Sequence, residues 1–150
     1  MSDNICRVHV NFKKLTEDAH TPTRGSEYAA GWDMYATADY EIAPGGCVMI
    51  PTHIAVEIPN GCFGALYSRS GMACKRGLRL ANCVGVIDSD YRGDVTAAIY
   101  NDSNDFEHIY AGDRIAQLII TPFVTAEFVE VDELSETTRN TGGFGSTGTK

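Results

Sequence analysis

Hydrophobic and polar residues alternate most clearly between residues 47 and 58. Side chains of a β-strand point to opposite faces in turn, so a period of two is typical of a half-buried strand. Pro51 lies inside the pattern and is expected to divide it in two or to place it at a sheet edge. The residues that share the apolar face are Val48, Ile50, Ile54, Val56 and Ile58.

Other short apolar runs are separated by turns that contain glycine or proline. The sequence predicts further strands at residues 7–12, 63–67, 95–100, 115–120 and 126–131. A short helix is predicted at residues 68–77, with Gly77 at its C-terminal stop. Short strands at repeated spacing, with almost no helical periodicity, predict an all-β sandwich or barrel.

The composition is that of one ordinary globular domain. The chain has 150 residues, 43% hydrophobic and 21% charged, which is enough for one sizeable core and too little for two. No apolar run approaches the roughly 20 residues that span a bilayer, and the first residues lack a signal-peptide pattern. Five cysteines without a CxxC pair favour reduced thiols over disulfides or a thiolate zinc site. The sequence therefore predicts a cytoplasmic protein without a membrane partner.

The charge distribution favours a small anionic ligand. A formal net charge of −8 disfavours binding to nucleic acid, which requires a basic surface. Residues 67–81 nevertheless contain Arg69, Lys75, Arg76 and Arg79 without a single acid. This basic segment suits a small anion better than a polymer, although a solvated basic turn explains the charges equally well.

The most informative stretch is residues 82–95, NCVGVIDSDYRGDV. A short apolar run stops at the carboxylate of Asp88, and a second apolar run begins at Val95. Two strands joined by a tight acidic turn are predicted, and this hairpin would hold Asp88, Tyr91 and Arg92 on one rigid frame. Aspartate and glycine are also what turns require, so turn formation alone explains any one of these residues.

The composition changes after Leu134, where the chain becomes rich in glycine, serine and threonine. Phe144 is the one core-forming residue in this segment. We therefore predict a β domain over residues 1–134 and a separate glycine-rich C-terminal arm over residues 135–150. Composition alone favours a disordered tail for these residues, but a flexible flap that carries stacking and phosphate-binding groups has the same composition, because glycine-rich backbone also forms anion-binding nests.

Five segments together resemble the homotrimeric deoxyuridine triphosphatase (dUTPase) family. They are AGWDMYA at 30–36, SRSGMA at 68–73, residues 82–95, GDRIAQLI at 112–119 and RNTGGFGSTG at 139–148. The resemblance implies a jelly-roll-like β domain that hydrolyses dUTP to dUMP and diphosphate. This reaction limits uracil incorporation into DNA and supplies dUMP for thymidylate synthesis. It also implies a homotrimer with three active sites at subunit interfaces, each covered by the arm of one subunit.

The resemblance assigns the catalytic roles to Asp88 and Gln117. Asp88 would activate a water molecule for attack on the α-phosphorus, because a carboxylate fixed at a strand end can orient water and take its proton. Gln117 would help to hold that water or a phosphate oxygen. The implied cofactor is Mg²⁺, held chiefly by the substrate phosphates, with Asp33 reaching it through water.

The resemblance also assigns the substrate contacts. Backbone N–H groups at a helix start and a guanidinium would hold phosphate, and strand backbone groups would read the uracil edge. An aromatic ring under the sugar would exclude a 2′-hydroxyl, and a second ring would stack on uracil. The implied residues are Arg69, Ser70 and Gly71 for phosphate; Asn82, Val86 and Ile87 for uracil; Tyr91 for deoxyribose; and Arg139, Phe144, Gly145, Ser146 and Thr147 of the arm.

Several of these residues also have a simpler structural explanation. Asp33 can be a loop aspartate paired with an arginine, Gln117 a strand glutamine bonded to a neighbour, and Tyr91 a ring that covers the core. For Asp113 and Arg114, a turn and a structural ion pair are the favoured interpretations.

Two other functions are compatible with these motifs. A deoxycytidine triphosphate deaminase would share the fold, but it requires a catalytic glutamate in the hairpin, where only Asp88 and Asp90 precede Asp94. A binding or regulatory protein that uses the nucleotide-bound form as a signal belongs to a different class. Such a protein should have lost the base or the arm, whereas Asp88 and Phe144 are both present.

Overall fold

A computed structural model describes residues 7–143, and within this range the chain forms twelve strands and one helix. This architecture confirms the predicted all-β class with one short helix. The elements are β1 (Asn11–Lys14), β2 (Thr23–Arg24), β3 (Trp32–Tyr35), β4 (Tyr40–Ile42), β5 (Cys47–Pro51), β6 (Ile54–Glu57), β7 (Cys62–Tyr67), α1 (Ser70–Arg76), β8 (Leu78–Leu80), β9 (Val84–Ile87), β10 (Thr96–Asn101), β11 (Glu107–Ile109) and β12 (Arg114–Pro122).

The strands form two larger antiparallel sheets and two isolated strand pairs. The larger sheets have the orders β2-β3-β12-β7-β9 and β5-β10-β8, and the pairs are β1-β6 and β4-β11. Buried side chains from both larger sheets belong to one hydrophobic cluster, which includes Met34, Ile50, Leu80, Ile99 and Leu118. The two sheets therefore enclose a shared core, as in a β-sandwich.

The alternating segment forms β5 and β6, which are separated after Pro51 as predicted. β5 pairs with β10 and β6 pairs with β1, so the break transfers the chain from one sheet to another. The predicted apolar face is buried at Ile50, Ile54, Val56 and Ile58. The burial of this face explains why the alternation is so clear in the sequence.

The predicted helix is confirmed with slightly narrower bounds, Ser70–Arg76. Gly77 follows it in the left-handed region at φ 67°, and its N–H donates to the carbonyl oxygen of Met72. This capping geometry favours glycine, which has no Cβ to clash. Lys75 and Arg76 lie in the last turn, where positive charge is favourable to the helix dipole.

The hairpin predicted at residues 82–95 is wrong. β9 pairs with β7 in the five-stranded sheet, whereas β10 pairs with β5 and β8 in the three-stranded sheet. Residues 88–95 form an irregular connection that crosses from one sheet to the other. The connection is longer than the two to five residues usual in a hairpin, and periodicity does not identify a strand's partner. Asp88 still lies directly after a strand, as expected.

The strand predicted at residues 126–131 is also wrong for the single chain. Residues 123–131 have no assigned secondary structure, and Val124 and Phe128 are 92% and 97% exposed. A strand requires a partner, and no strand among residues 7–143 pairs with this segment. The first strand also begins later than predicted, at Asn11. The additional strands β2, β4, β8 and β11 have only two or three residues, too few to give a visible period.

The sequence predicts a chain without a membrane-spanning segment and with reduced thiols. Among residues 7–143, no helix has the length and apolar character that crossing a membrane requires. Cys47, Cys62, Cys74 and Cys83 are free thiols.

Candidate active site

An open pocket of about 230 Å³ lies beside β9 and the connection that follows it. Five residues predicted from the sequence line this pocket, so the structure brings the proposed uracil, sugar and catalytic groups together. Two acids contribute to the lining, and among the described residues no glutamate does. The lining residues are Leu66, Asn82, Gly85, Val86, Ile87, Asp88, Tyr91, Asp94, Val95 and Thr96.

β9 lies at the edge of the five-stranded sheet and pairs only with β7 within residues 7–143. An edge strand leaves alternate N–H and C=O groups without a ladder partner. Gly85, Val86 and Ile87 of this strand line the pocket, and Val86 is 64% exposed. The free edge therefore offers both donors and acceptors to a planar polar ligand.

Asp88 and Tyr91 lie at the mouth of the pocket. The Tyr91 backbone N–H donates to the Asp88 carbonyl oxygen at 3.1 Å, which closes a tight turn after the strand. The Asp88 side chain is exposed, and no hydrogen bond from another described residue engages its carboxylate. Tyr91 is 45% exposed, so it does not cover the core. A free carboxylate and an aromatic face are thus both available to a ligand.

Arg92, the third polar group of this stretch, stabilises the connection instead of facing the pocket. Its guanidinium donates to the carbonyl oxygens of Ser89 and Tyr91 at 2.7 and 2.9 Å. It also lies 3.5 Å from Glu57 of β6 in a solvent-exposed ion pair, which contributes little to stability.

A second group of residues lies across the middle of the same sheet, and it includes the predicted site residues Asp33 and Gln117. Asp33 of β3 and Tyr67 of β7 each lie directly opposite Gln117 of β12. Directly opposite residues share a face, with Cβ atoms about 5 Å apart. The Gln117 amide donates to the Ser68 carbonyl oxygen at 3.0 Å, next to the start of α1. Gln117 therefore lies beside the predicted phosphate-binding segment that begins at Arg69.

Asp33 binds two guanidinium groups. Its Oδ1 accepts from Arg69 Nε at 2.9 Å, and its Oδ2 accepts from Arg114 Nη1 at 3.2 Å. Asp33 is 8% exposed, whereas the side chains of Arg69 and Arg114 are 27% and 48% exposed, so a buried carboxylate meets two partly solvated guanidinium groups. The structural ion pair favoured for Arg114 is confirmed. Asp113 has the expected turn role, because its Oδ2 accepts from the Tyr110 N–H at 2.9 Å.

The two groups are far apart within one chain. Gln117 and Asp88 lie two strands and four residues from each other in the register of β12, β7 and β9, which separates their Cα atoms by about 16 Å. In the register of this sheet, Asp88 therefore lies well beyond side-chain contact with Gln117.

The arm residue Arg139 is exposed, and its Nε donates to the Gly142 carbonyl oxygen at 2.8 Å. Its other described neighbours in the arm form a local turn, in which Thr137 and Asn140 exchange hydrogen bonds of 3.1 and 3.0 Å. The predicted residues Phe144, Gly145, Ser146 and Thr147 lie outside the described range.

Sequence reasoning missed two residues next to the pocket, Asp94 and His53. The His53 backbone N–H donates to Asp94 Oδ1 at 2.9 Å, and its ring Nδ1 lies 3.0 Å from Asp94 Oδ2. The acid in the connection was visible in the sequence, but its partner, 41 residues earlier in the chain, was not.

Comparison with known proteins places this chain in a class of enzymes. A sequence model of the dUTPase family matches residues 17–148. A deoxyuridine 5'-triphosphate nucleotidohydrolase of Arabidopsis thaliana is 47% identical over 91% of this chain and 81% of its own length. The enzyme of the same name from Candida glabrata is 45% identical, with 99% of each chain covered. The chain is accordingly a nucleotide hydrolase built on an all-β domain.

Solved structures agree with this assignment. A mutant dUTPase of Staphylococcus bacteriophage 80alpha, solved with dUpNHpp, has a TM-score of 0.86 and 30% identity over 93% of this chain and 98% of that chain. A mutant dUTPase of the S. aureus phage phi11 has a TM-score of 0.76 and 28% identity over 84% of this chain and 98% of that chain. This chain belongs to the dUTPase family, has the family's jelly-roll-like β fold and is a hydrolase of dUTP.

Proposed function

We propose that the chain cleaves dUTP to dUMP and diphosphate by attack of a water molecule on the α-phosphorus, with Asp88 as the general base. The observation that carries this proposal is the position of Asp88. It follows β9 directly, lines the pocket and leaves its carboxylate free of bonds from other described residues. A carboxylate held in this way can orient water and accept its proton.

Uracil would bind along the free edge of β9. Backbone groups on the free edge around Val86 and Ile87 would serve as donors and acceptors for the acceptor–donor–acceptor edge of uracil, and Asn82 lines the same pocket. The pocket walls would exclude the methyl group of thymine. The exposed ring of Tyr91 would pack under the sugar and leave no space for a 2′-hydroxyl. Groups on β9 and on the connection that follows it would then recognise both the base and the sugar.

The phosphates would bind at the start of α1. Arg69 precedes the helix, and Ser70 and Gly71 are its first residues, so their backbone N–H groups have no partner inside the helix. The Arg69 guanidinium is held by Asp33, which fixes its direction. Gln117 lies beside this segment through its bond to Ser68. These groups would stabilise charge that builds on the phosphates during the attack.

A trimer would bring these groups to one site. The separation of about 16 Å between Asp88 and Gln117 in the register of one sheet is too large for both to contact the same α-phosphate. We therefore propose that the pocket of one subunit meets the Arg69 segment of a neighbour, in a homotrimer with closed threefold symmetry. The exposed apolar residues of the C-terminal segment, such as Phe128 at 97% and Leu134 at 87%, would be buried against another subunit.

We propose Mg²⁺ as the cofactor, and the residues fit an ion that arrives with the nucleotide. Within residues 7–143, no cluster of three or more His, Cys, Asp or Glu side chains is arranged to hold a metal ion. Both oxygens of Asp33 accept from arginines, so Asp33 would reach the ion through a water molecule. Bound Mg²⁺ offsets phosphate charge. The phi11 dUTPase structure is described as showing coordination of a structural Mg(II) ion.

The arm would close the site after dUTP binds. Phe144 would stack on uracil, which is worth roughly 1–3 kcal/mol per base, while Arg139, Gly145, Ser146 and Thr147 would contact the outer phosphates. Residues 135–142 are exposed or nearly so in the described structure, so they are not committed to the core of their own chain. Closure would exclude water and tighten the phosphate contacts.

Diphosphate release from dUTP, dCTP, dTTP and UTP, with and without Mg²⁺, tests this proposal. We expect release from dUTP alone, at a rate that falls strongly when EDTA removes the metal. Release from UTP at the same rate would contradict the role of Tyr91, and release from dTTP would contradict the exclusion of the thymine methyl group by the pocket walls. No release from any nucleotide, together with tight dUTP binding, would support a binding protein instead.

A further inference from the structure

The connection that carries Asp88 and Tyr91 is attached to a distant turn at its C-terminal end. That turn, Thr52 and His53, joins β5 to β6. The His53 backbone N–H and ring Nδ1 contact the two carboxylate oxygens of Asp94, at 2.9 and 3.0 Å. The ring nitrogen can donate to a carboxylate in its Nδ1–H form. Both oxygens of Asp94 are thus held by one residue, near the end of the connection that leads into β10.

His53 has the left-handed backbone conformation, with φ 54°. A residue with a side chain rarely adopts this conformation, and it persists where surrounding contacts impose it. The two bonds to Asp94 are such contacts, because they require the N–H and the ring of His53 to face the same carboxylate. The conformation of His53 is therefore linked to the position of Asp94.

Buried hydrogen bonds fix the same junction next to Asp94. The Val95 carbonyl oxygen accepts from both the N–H and the hydroxyl of Thr52, at 3.2 and 2.7 Å. The Val95 N–H donates to the Ile54 carbonyl oxygen at 2.8 Å. Thr52 and Val95 are each 1% exposed. Buried hydrogen bonds therefore hold the end of the connection that leads into β10. Asp88 and Tyr91, which lie nearer to β9, are exposed.

Asp94 links this end of the connection to Tyr91. The Tyr91 hydroxyl donates to the Asp94 carbonyl oxygen at 3.1 Å. The ring lies directly against Gly93, where an added Cβ would come within 3 Å of the Tyr91 ring atom Cζ, at 2.5 Å. The ring is held at its hydroxyl end by Asp94 and along its side by Gly93, and both lie next to the pocket.

We propose that Asp94, held by His53, is a positioning residue that sets the discrimination between deoxyribose and ribose. It acts through Tyr91, so the inference rests on the proposed sugar-selecting role of that ring. With the Asp94 carboxylate released, the connection would relax and the Tyr91 ring would move away from the sugar. Space for a 2′-hydroxyl would open, and the preference for dUTP over UTP would fall.

The test measures kcat/KM for dUTP and for UTP, together with the melting temperature, in the full-length enzyme. Asp94→Ala removes the carboxylate, and Asp94→Asn keeps an oxygen that accepts from the His53 N–H. His53→Gly removes the ring, keeps the N–H and suits a positive φ. Tyr91→Ala is the reference for lost sugar selection. Glu41→Ala is the matched control, because Glu41 lies 3.8 Å from His108 in an exposed histidine–carboxylate pair away from the pocket.

We expect Asp94→Ala to lower the dUTP/UTP ratio of kcat/KM by about tenfold, the order of effect of one lost hydrogen bond to a charged group. His53→Gly should lower the ratio less, by about threefold, without a lower melting temperature. Asp94→Asn should retain most of the ratio, and Glu41→Ala should retain all of it.

Two results would overturn the inference, and they are distinguishable. A wild-type ratio in Asp94→Ala, with a reduced ratio in Tyr91→Ala, would make Asp94 merely structural and leave the role of Tyr91 intact. A wild-type ratio in Tyr91→Ala would remove the sugar-selecting role itself, and the inference with it, while dUTP turnover still reports the basic activity. Should Asp94→Ala not fold, a wild-type ratio in His53→Gly decides against the proposal.

Discussion

The Asp88→Asn enzyme is expected to bind dUTP as the wild type does and to turn it over about 10²–10⁴ times more slowly, the usual contribution of a general base. The amide has nearly the size of the carboxylate, but it cannot accept the proton of the attacking water at neutral pH. Binding should survive, because the uracil, sugar and phosphate groups are supplied by other residues. Single-turnover kinetics and equilibrium binding of a non-hydrolysable dUTP analogue measure the two effects separately.

Asp90→Asn is the matched control for this experiment. Asp90 lies two residues after Asp88 in the same exposed connection, does not line the pocket, and is assigned to the turn. Its substitution should leave both turnover and binding near wild-type values. Turnover that is undiminished in Asp88→Asn would remove Asp88 as the base. Equal losses in both variants would indicate a general effect of charge in the connection.

Deletion of residues 135–150 is expected to leave a folded trimer with about 10²–10³-fold lower kcat/KM. The loss combines base stacking, worth roughly 1–3 kcal/mol, with charged hydrogen bonds to phosphate of about 1.5–3 kcal/mol each. Stability should change little, since the described side-chain bonds of Arg139 and Asn140 stay within the arm. Gel filtration, thermal unfolding and dUTP kinetics measure the three properties.

A pair of full-length variants separates stacking from the rest of the arm. Phe144→Ala should lose roughly 10- to 100-fold in kcat/KM through the lost stacking, whereas Phe144→Trp should retain most of the activity because indole also stacks. A truncated chain that dissociates into monomers would contradict a purely catalytic arm. Equal activity in Phe144→Ala and the wild type would remove the stacking role.

The parts of the fold that depend on local pattern could be predicted from the sequence. The break at Pro51, the buried face at Ile50 and Ile54, and the helix that ends before Gly77 all follow from periodicity and backbone preference. The segments that line the pocket could also be identified, because Asp88 and Tyr91 lie in a motif that is contiguous in sequence.

The remaining features depend on contacts between distant segments. Period two does not reveal that β9 and β10 belong to different sheets, so the hairpin prediction at residues 82–95 failed. The contact between His53 and Asp94 arises from the turn and the connection meeting across the fold. Likewise, the apolar alternation at residues 126–131 is real, but the single chain supplies no strand to pair with it. Alternation alone does not reveal whether the same chain offers the segment a strand with which to pair.

The ion pairs of Asp33 also depend on contacts between segments that are distant in the sequence. Sequence reasoning left a metal-linked role and an arginine partner both open for this residue. The fold brings Arg69 from the start of α1 and Arg114 from β12 to its two oxygens. This arrangement supports a role in directing the Arg69 guanidinium toward phosphate, and it leaves contact with Mg²⁺ to a bridging water.

Each active site is proposed to combine the Asp88 pocket of one subunit with the phosphate-binding segment of another, which begins at Arg69. Mixing the inactive variants Asp88→Asn and Arg69→Ala in equal amounts, with refolding to exchange subunits, tests this claim directly. If the two groups come from different subunits, random assembly of trimers gives about one quarter of the sites a wild-type Asp88 together with a wild-type Arg69. We therefore expect about a quarter of wild-type dUTP turnover in the mixture. Activity no higher than that of the separate variants would place both groups in one subunit and rule out an active site shared between subunits.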